Sequence, residues 1–252
     1  MNLFSVLADA GAWGAHSAPV LPALDSLYWL RHAAWSLVLA AVVVLLGARR
    51  RGADAGLGDG FGVGARTALL AGLLAAWAWV PGEGGLAYWL GLAFQVPSVL
   101  SCVLALGVVA RACALCATPG RAASGAVQPS GADLPHEGLG AWAAVYLGAG
   151  VLLGWILLLD TFALLPVQVY VWGFEPPAFL LVCTLALLPW VVAGAGVWRT
   201  SAVGQVGVAL AVFALSRWPS GNVWDALLDP WLWLVLNGCA IRAVARRWRS
   251  AS

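Results

Sequence analysis

The chain has 252 residues, of which 62% are apolar and only 10% charged, and its mean hydropathy is +0.89. A soluble domain carries about 25% charged residues, so this composition excludes an ordinary soluble fold. The formal net charge of +2 leaves no basic footprint for nucleic acid.

All 13 basic residues are arginine, and most of them sit at the ends of long apolar runs. That pattern predicts an all-α fold, a polytopic bundle of transmembrane helices. Arginine without lysine, together with abundant Ala, Gly and Trp, points to a GC-rich bacterial genome and hence to a multi-pass protein of the bacterial inner membrane.

Residues 1–27 lack a basic n-region and a long apolar core, so they do not read as a cleaved signal peptide. They are expected to form a periplasmic N-terminal segment. Seven apolar stretches follow. The first runs from Tyr28 to Gly47 and stops at Arg49-Arg50-Arg51, and the second runs from Arg66 to Val80 and ends at Pro81-Gly82. The third runs from Leu86 to Ala110 and stops at Arg111, with Pro97 inside it. Helices one to three thus occupy 28–116, and a Gly-, Ser- and Pro-rich linker is expected over 117–138.

The fourth stretch runs from Leu139 to Leu159 and stops at Asp160. Residues 161–177 are too apolar for an ordinary loop and are broken by Pro166, Gly173 and Pro176-Pro177, so they are expected along the outer interface or re-entering it. The fifth runs from Pro177 to Trp198, the sixth from Ser201 to Leu215 and the seventh from Val223 to Ile241, with Pro230 inside it. Helices four to seven thus occupy 139–241. The remaining residues, 242–252, form a basic cytoplasmic tail. The second and sixth stretches are short for a full crossing.

With the N-terminus outside, eleven of the thirteen arginines fall inside, and only Arg31 and Arg217 fall outside. The positive-inside rule therefore selects seven helices, N-out and C-in. Trp29, Trp77, Trp79, Trp89, Trp155, Trp172, Trp218 and Trp224 fall near the outer face, where indoles are expected to bond headgroups.

Arg66-Thr67 precedes Pro97 by the same 31 residues that separate Arg199-Thr200 from Pro230. A repeat of helices one to three as five to seven resembles SWEET-type transporters, in topology only. The absence of lysine excludes a retinal Schiff base, which seven N-out helices would otherwise bring to mind.

Polar groups inside the membrane are the pointers to function, because each is costly unless it is paired or faces a cavity. Gln95 lies mid-span beside Pro97, which frees a carbonyl, so it is a candidate for a kink or a substrate-lining break. Asp225 and Asp229 are four apart and are expected on one helix face, with Arg217, Arg31 and His32 as available cations. Asp160 closes the fourth stretch. Gln95, Asp229, Asp225, Asp160, His32 and Arg31 are the substrate or ion candidates. Asn237 is expected to bond a neighbouring helix.

Cys113 and Cys116 form a CxxC at the cytoplasmic end of the third stretch, without a second pair, so they read as apolar filler rather than as a metal or redox site. The three histidines form no spaced pair, and no GxSxG, P-loop or Asp-rich motif occurs. No catalytic residue, metal or cofactor is assigned.

The expected partners are the lipid bilayer and a protein subunit. Three classes remain in order: a non-catalytic subunit or scaffold of a membrane complex, a small-molecule transporter with its site at the broken third and seventh helices, and an enzyme acting on lipid or isoprenoid.

Overall fold

A computed structural model describes residues 21–53, 60–117, 136–193 and 201–251. The protein is all-helical: these residues form ten α-helices and one 3-10 turn, and no strand occurs among them. The helices are α1 Leu24–Ala53, α2 Gly60–Trp79, α3 Leu86–Phe94, α4 Val99–Ala117, α5 His136–Thr161, α6 Val169–Trp172, α7 Pro176–Ala193, α8 Ser201–Ser216, α9 Val223–Leu227 and α10 Pro230–Ala251. The N-terminal segment through residue 20, most of the linker with Arg121, and Arg199-Thr200 of the suspected repeat lie outside the described residues.

Every predicted apolar stretch contains helix. Two helices are long and apolar enough to cross a membrane, over Leu24–Arg49 and Trp142–Thr161. Four shorter apolar helices cover Ala65–Trp79, Val99–Ala114, Pro176–Pro189 and Ala202–Ser216. The third and seventh stretches fall short as continuous spans because each is broken. The third divides into α3 and α4 around residues 95–98, and the seventh into α9 and α10 around Leu228 and Asp229. At its other end α10 continues through Arg242, Arg246, Arg247 and Arg249, so the basic residues from 242 onward are carried on this helix.

Contacts divide the chain into two units. One holds 24–97 and 101–136, and the other holds 98–100 and 137–252. In the first, α1 and α2 run antiparallel. Ser36 Oγ donates to Ala75 O at 2.9 Å, and eleven residues further along α1, Gly47 meets Thr67. A Cβ on Gly47 would lie 2.5 Å from the Thr67 side chain, so glycine is what lets the helices close there.

The core of this unit is Trp35, Ala78 and Ala87, with Val38, Leu39, Leu86 and Leu90 packed around it. Small alanines on α2 and α3 leave room for one indole on α1, which replaces water contact with dispersion contact over a large ring. The turn from α2 to α3 is closed by two indoles: Trp77 Nε1 donates to Gly84 O at 2.9 Å and Trp89 Nε1 to Glu83 O at 2.8 Å.

In the second unit α5 packs on α10 through Gly150 and Gly154, a Gly-x-x-x-Gly pair. A Cβ on Gly154 would lie 2.1 Å from Trp233 Cδ1, and one on Gly150 would lie 2.7 Å from Leu236 Cδ1. The bare backbone admits the Trp233 ring, whose Nε1 donates to Val151 O at 3.3 Å. Trp155 stacks edge-on against it at 5.1 Å. One turn before Gly150 on α5, Tyr146 OH donates to Ala186 O of α7 at 3.0 Å.

Candidate functional site

The best-knit polar assembly is in the second unit, where residues 160–174 meet 220–232. Its centre is Tyr170, which the sequence did not single out. Tyr170 N–H donates to Asp160 Oδ2 at 2.7 Å, and its hydroxyl donates to Asp225 Oδ2 at 2.8 Å. Ser220 Oγ also donates to that Asp225 oxygen. The phenol is pushed up from its ordinary value, first by burial and then by its hydrogen bond to the Asp225 carboxylate and by that group's charge.

Asn222 anchors the assembly. It is fully buried. Its Nδ2 donates to Tyr170 O at 2.9 Å, and its Oδ1 accepts from Trp224 N at 2.9 Å, which caps the first turn of α9. Trp224 Nε1 donates to Val169 O at 3.0 Å and Val223 N to Gly173 O at 2.9 Å. Gly173 is required by this closeness, since a Cβ there would lie 1.9 Å from Asn222 Oδ1. The apolar 161–177 segment therefore holds a short helix pinned by its carbonyls, while Phe162, Leu164 and Trp172 stay exposed.

Asp229 is buried and lies just ahead of α10. Its Oδ1 accepts from Leu232 N at 2.8 Å, and its Oδ2 accepts from Ser98 N at 2.8 Å, beside the start of α4. One carboxylate thus serves donors at two helix beginnings, where N–H groups lack intrahelical partners and the dipole favours negative charge.

The expectation that Asp225 and Asp229 share a helix face is corrected. Leu228 is extended, at φ −143° and ψ 125°, so α9 ends before Asp229 and the 3.6-residue register does not run between them. Asn237 also departs from expectation, since it donates to Trp233 O of its own helix at 2.8 Å.

The other candidates are in the first unit. Gln95 has φ 62° and ψ −159°, backbone space that costs a non-glycine residue about 1–3 kcal/mol. Its side chain is exposed, and its backbone carbonyl accepts from Trp35 Nε1 at 3.2 Å. The kink expected at Pro97 is thus held by a tryptophan from α1, not by the Gln95 amide.

His32 is 1% exposed. Its Nδ1 lies 2.8 Å from Tyr28 O. A carbonyl only accepts, so Nδ1 carries a proton and donates. Nε2 is buried without a hydrogen-bond partner, as is Arg31 Nε. The Tyr28 ring borders both, with its centroid 4.6 Å from the His32 ring and 5.8 Å from the Arg31 guanidinium carbon. Arg31 Cδ lies against Gly91, where a Cβ would come within 2.9 Å.

The six candidates therefore divide: Asp160 and Asp225 meet through Tyr170, Asp229 caps nearby in the same unit, and Arg31, His32 and Gln95 are in the other. Among the described residues no three His, Cys, Asp or Glu side chains gather as a metal site would require.

Five indole N–H groups, those of Trp35, Trp77, Trp89, Trp224 and Trp233, donate to backbone carbonyls. Of these, Trp77, Trp89 and Trp224 were expected near headgroups at the outer interface. In the fold all five serve the chain's own carbonyls, at exposed positions for Trp77 and Trp89 and at part-buried ones for Trp35, Trp224 and Trp233. No protein-family model matches the chain, and no curated protein and no solved structure does.

Proposed function

We propose that this chain is a multi-pass protein of the bacterial inner membrane, seven helices with N-out and C-in, acting as a non-catalytic subunit or scaffold of a membrane complex. The observation that carries this reading is what the acidic residues do. Asp229 caps helix starts, Asp225 accepts from Tyr170 and Ser220, and Asp160 accepts from Tyr170. The carboxylates that transport or catalysis would call on are engaged in holding the fold.

The segment Trp142–Thr161 adds support, because it is long and apolar and little of it beyond Gly154 is buried. Leu152, Trp155 and Ile156 are exposed along it. Such a helix fits a bilayer on one side and a partner subunit on the other. The test is native mass spectrometry of the chain gently extracted from its own membrane. A stoichiometric partner protein upholds the reading, and a lone chain with a bound small molecule overturns it.

The two broken stretches favour a second reading, a small-molecule transporter. The strained Gln95 at the first break and Asp229 at the second fit the pattern in which discontinuous helices build a site. In that reading Asp229→Asn abolishes ion-coupled uptake while the protein still folds, and unchanged uptake removes it.

A further inference from the structure

We infer that the groove between α7 and α8 holds one acyl chain of an anionic phospholipid, with the phosphate at Arg217. The groove has a volume of about 190 Å³ and an almost wholly apolar lining. Phe179, Cys183 and Leu187 line it from α7, and Gly207, Ala211 and Ala214 from α8. The spacing on each helix is three to four residues, so each contributes a single stripe. From Phe179 to Leu187 the stripe is about 12 Å long at 1.5 Å per residue. Leu210 is the one bulky side chain that α8 adds to the lining, and Gly207, Ala211 and Ala214 leave the rest of it open. The result is a narrow apolar furrow, the shape of a hydrocarbon chain rather than of a polar solute.

Arg217 supplies the second observation. Its guanidinium lies 5.9 Å from the centroid of Phe179, at one end of the furrow, and 5.5 Å from that of Phe213. The two rings stand 5.7 Å apart. Arg217 directly follows α8 and has φ 54°, the left-handed cap conformation for which glycine or asparagine is the ordinary choice. A cap alone does not call for arginine. In this pose the long side chain turns back over the end of its own helix onto the two rings and sets a fixed cation at the mouth of the furrow. Asp225 is engaged by Tyr170 and Ser220, and no ion pair of Arg217 occurs among the described residues.

A chain-shaped apolar furrow ending in a cation is complementary to an amphiphile with an anionic head. This inference rests on the membrane reading. There, α8 ends at the outer face, so Arg217 sits at headgroup depth and the furrow runs inward beside the acyl chains. Arg217 is one of only two outer arginines, so the charge there is not a topology signal.

The test uses the full chain in mild detergent. Native mass spectrometry follows titration with phosphatidylglycerol, phosphatidylcholine of the same chains, or chainless glycerol 3-phosphate. Wild type is expected to retain phosphatidylglycerol roughly fivefold better than phosphatidylcholine, the ratio one interfacial arginine supplies. Arg217→Gln erases that preference and Arg217→Lys keeps most of it. Ala211→Leu fills the furrow and lowers retention of both lipids, and glycerol 3-phosphate does not compete.

Equal preference in wild type and Arg217→Gln overturns the inference, as does displacement by glycerol 3-phosphate. Alkaline carbonate extraction separates this from the reading beneath it. A chain released to the supernatant ends the membrane reading and the lipid assignment together. A chain that stays in the membrane pellet but shows no preference ends only the assignment.

Discussion

The two breaks use the same covalent device and reach opposite solutions. At 95–98 proline stands third in the gap, Gln95 is exposed on strained backbone with its carbonyl tied to Trp35, and Ser98 N donates to Asp229 of the other break. At 228–229 proline is the first residue of the new helix and the aspartate before it is the cap. Proline at that position loses nothing, because its missing N–H would have had no helical partner. The second break is thus built from residues that suit a helix start, and the first is held open by tertiary contact. A proline in an apolar run marks that a helix ends. It does not say what fastens the ends.

The largest expected effect is at Asp229, which serves the helix starts at both breaks. Asp229→Ala leaves the buried Ser98 and Leu232 donors without this acceptor and is expected to cost about 3 kcal/mol, read as reduced resistance to unfolding in detergent. A loss under about 0.5 kcal/mol would dissolve the contrast between the breaks. Gly173→Ala forces a methyl onto Asn222 and Trp224 and should cost about 2 kcal/mol by overpacking, checked by the same unfolding measurement.

At the first break, Trp35→Phe keeps most of the ring packing but removes the donor to Gln95 O, and should cost about 1 kcal/mol. Gln95→Gly should instead stabilise by about 1 kcal/mol, since glycine takes that backbone conformation freely. Destabilisation there would mean that the glutamine amide is needed.

The smallest effect is a pH dependence at Tyr170. Its folded phenol titrates above its unfolded value of about 10. The stabilisation is therefore complete below about pH 10 and is lost as pH rises further, because the unfolded chain gives up the proton first. Melting temperature should fall more steeply above about pH 10 in wild type than in Tyr170→Phe, and parallel curves would detach the phenol from the assembly.

Several features were legible in the residues. Apolar run length marked each helix-bearing stretch, since helix is how a backbone meets its own polar groups where water is scarce. Pro97 and Pro230 marked both breaks by removing a donor and crowding the preceding turn. Asp229-Pro230 is itself a helix-start signature, a signal that would have placed Asp229 as a cap rather than on a shared face with Asp225. Gly150 and Gly154, at the spacing that lets helices approach, similarly signalled the contact that Trp233 fills.

Tertiary structure alone decided the rest. Tyr170 joins Asp160 and Asp225 across 10 and 55 residues, and Ser98 meets Asp229 across 131. No local period encodes such pairings. The same holds for the indoles: composition shows that tryptophan is abundant, but which carbonyl each one serves depends on where the chain returns. Sequence determines helix and its interruptions because those are set by neighbours three and four residues away. The partners of buried polar groups are set by packing, and only the folded chain brings them within hydrogen-bond distance.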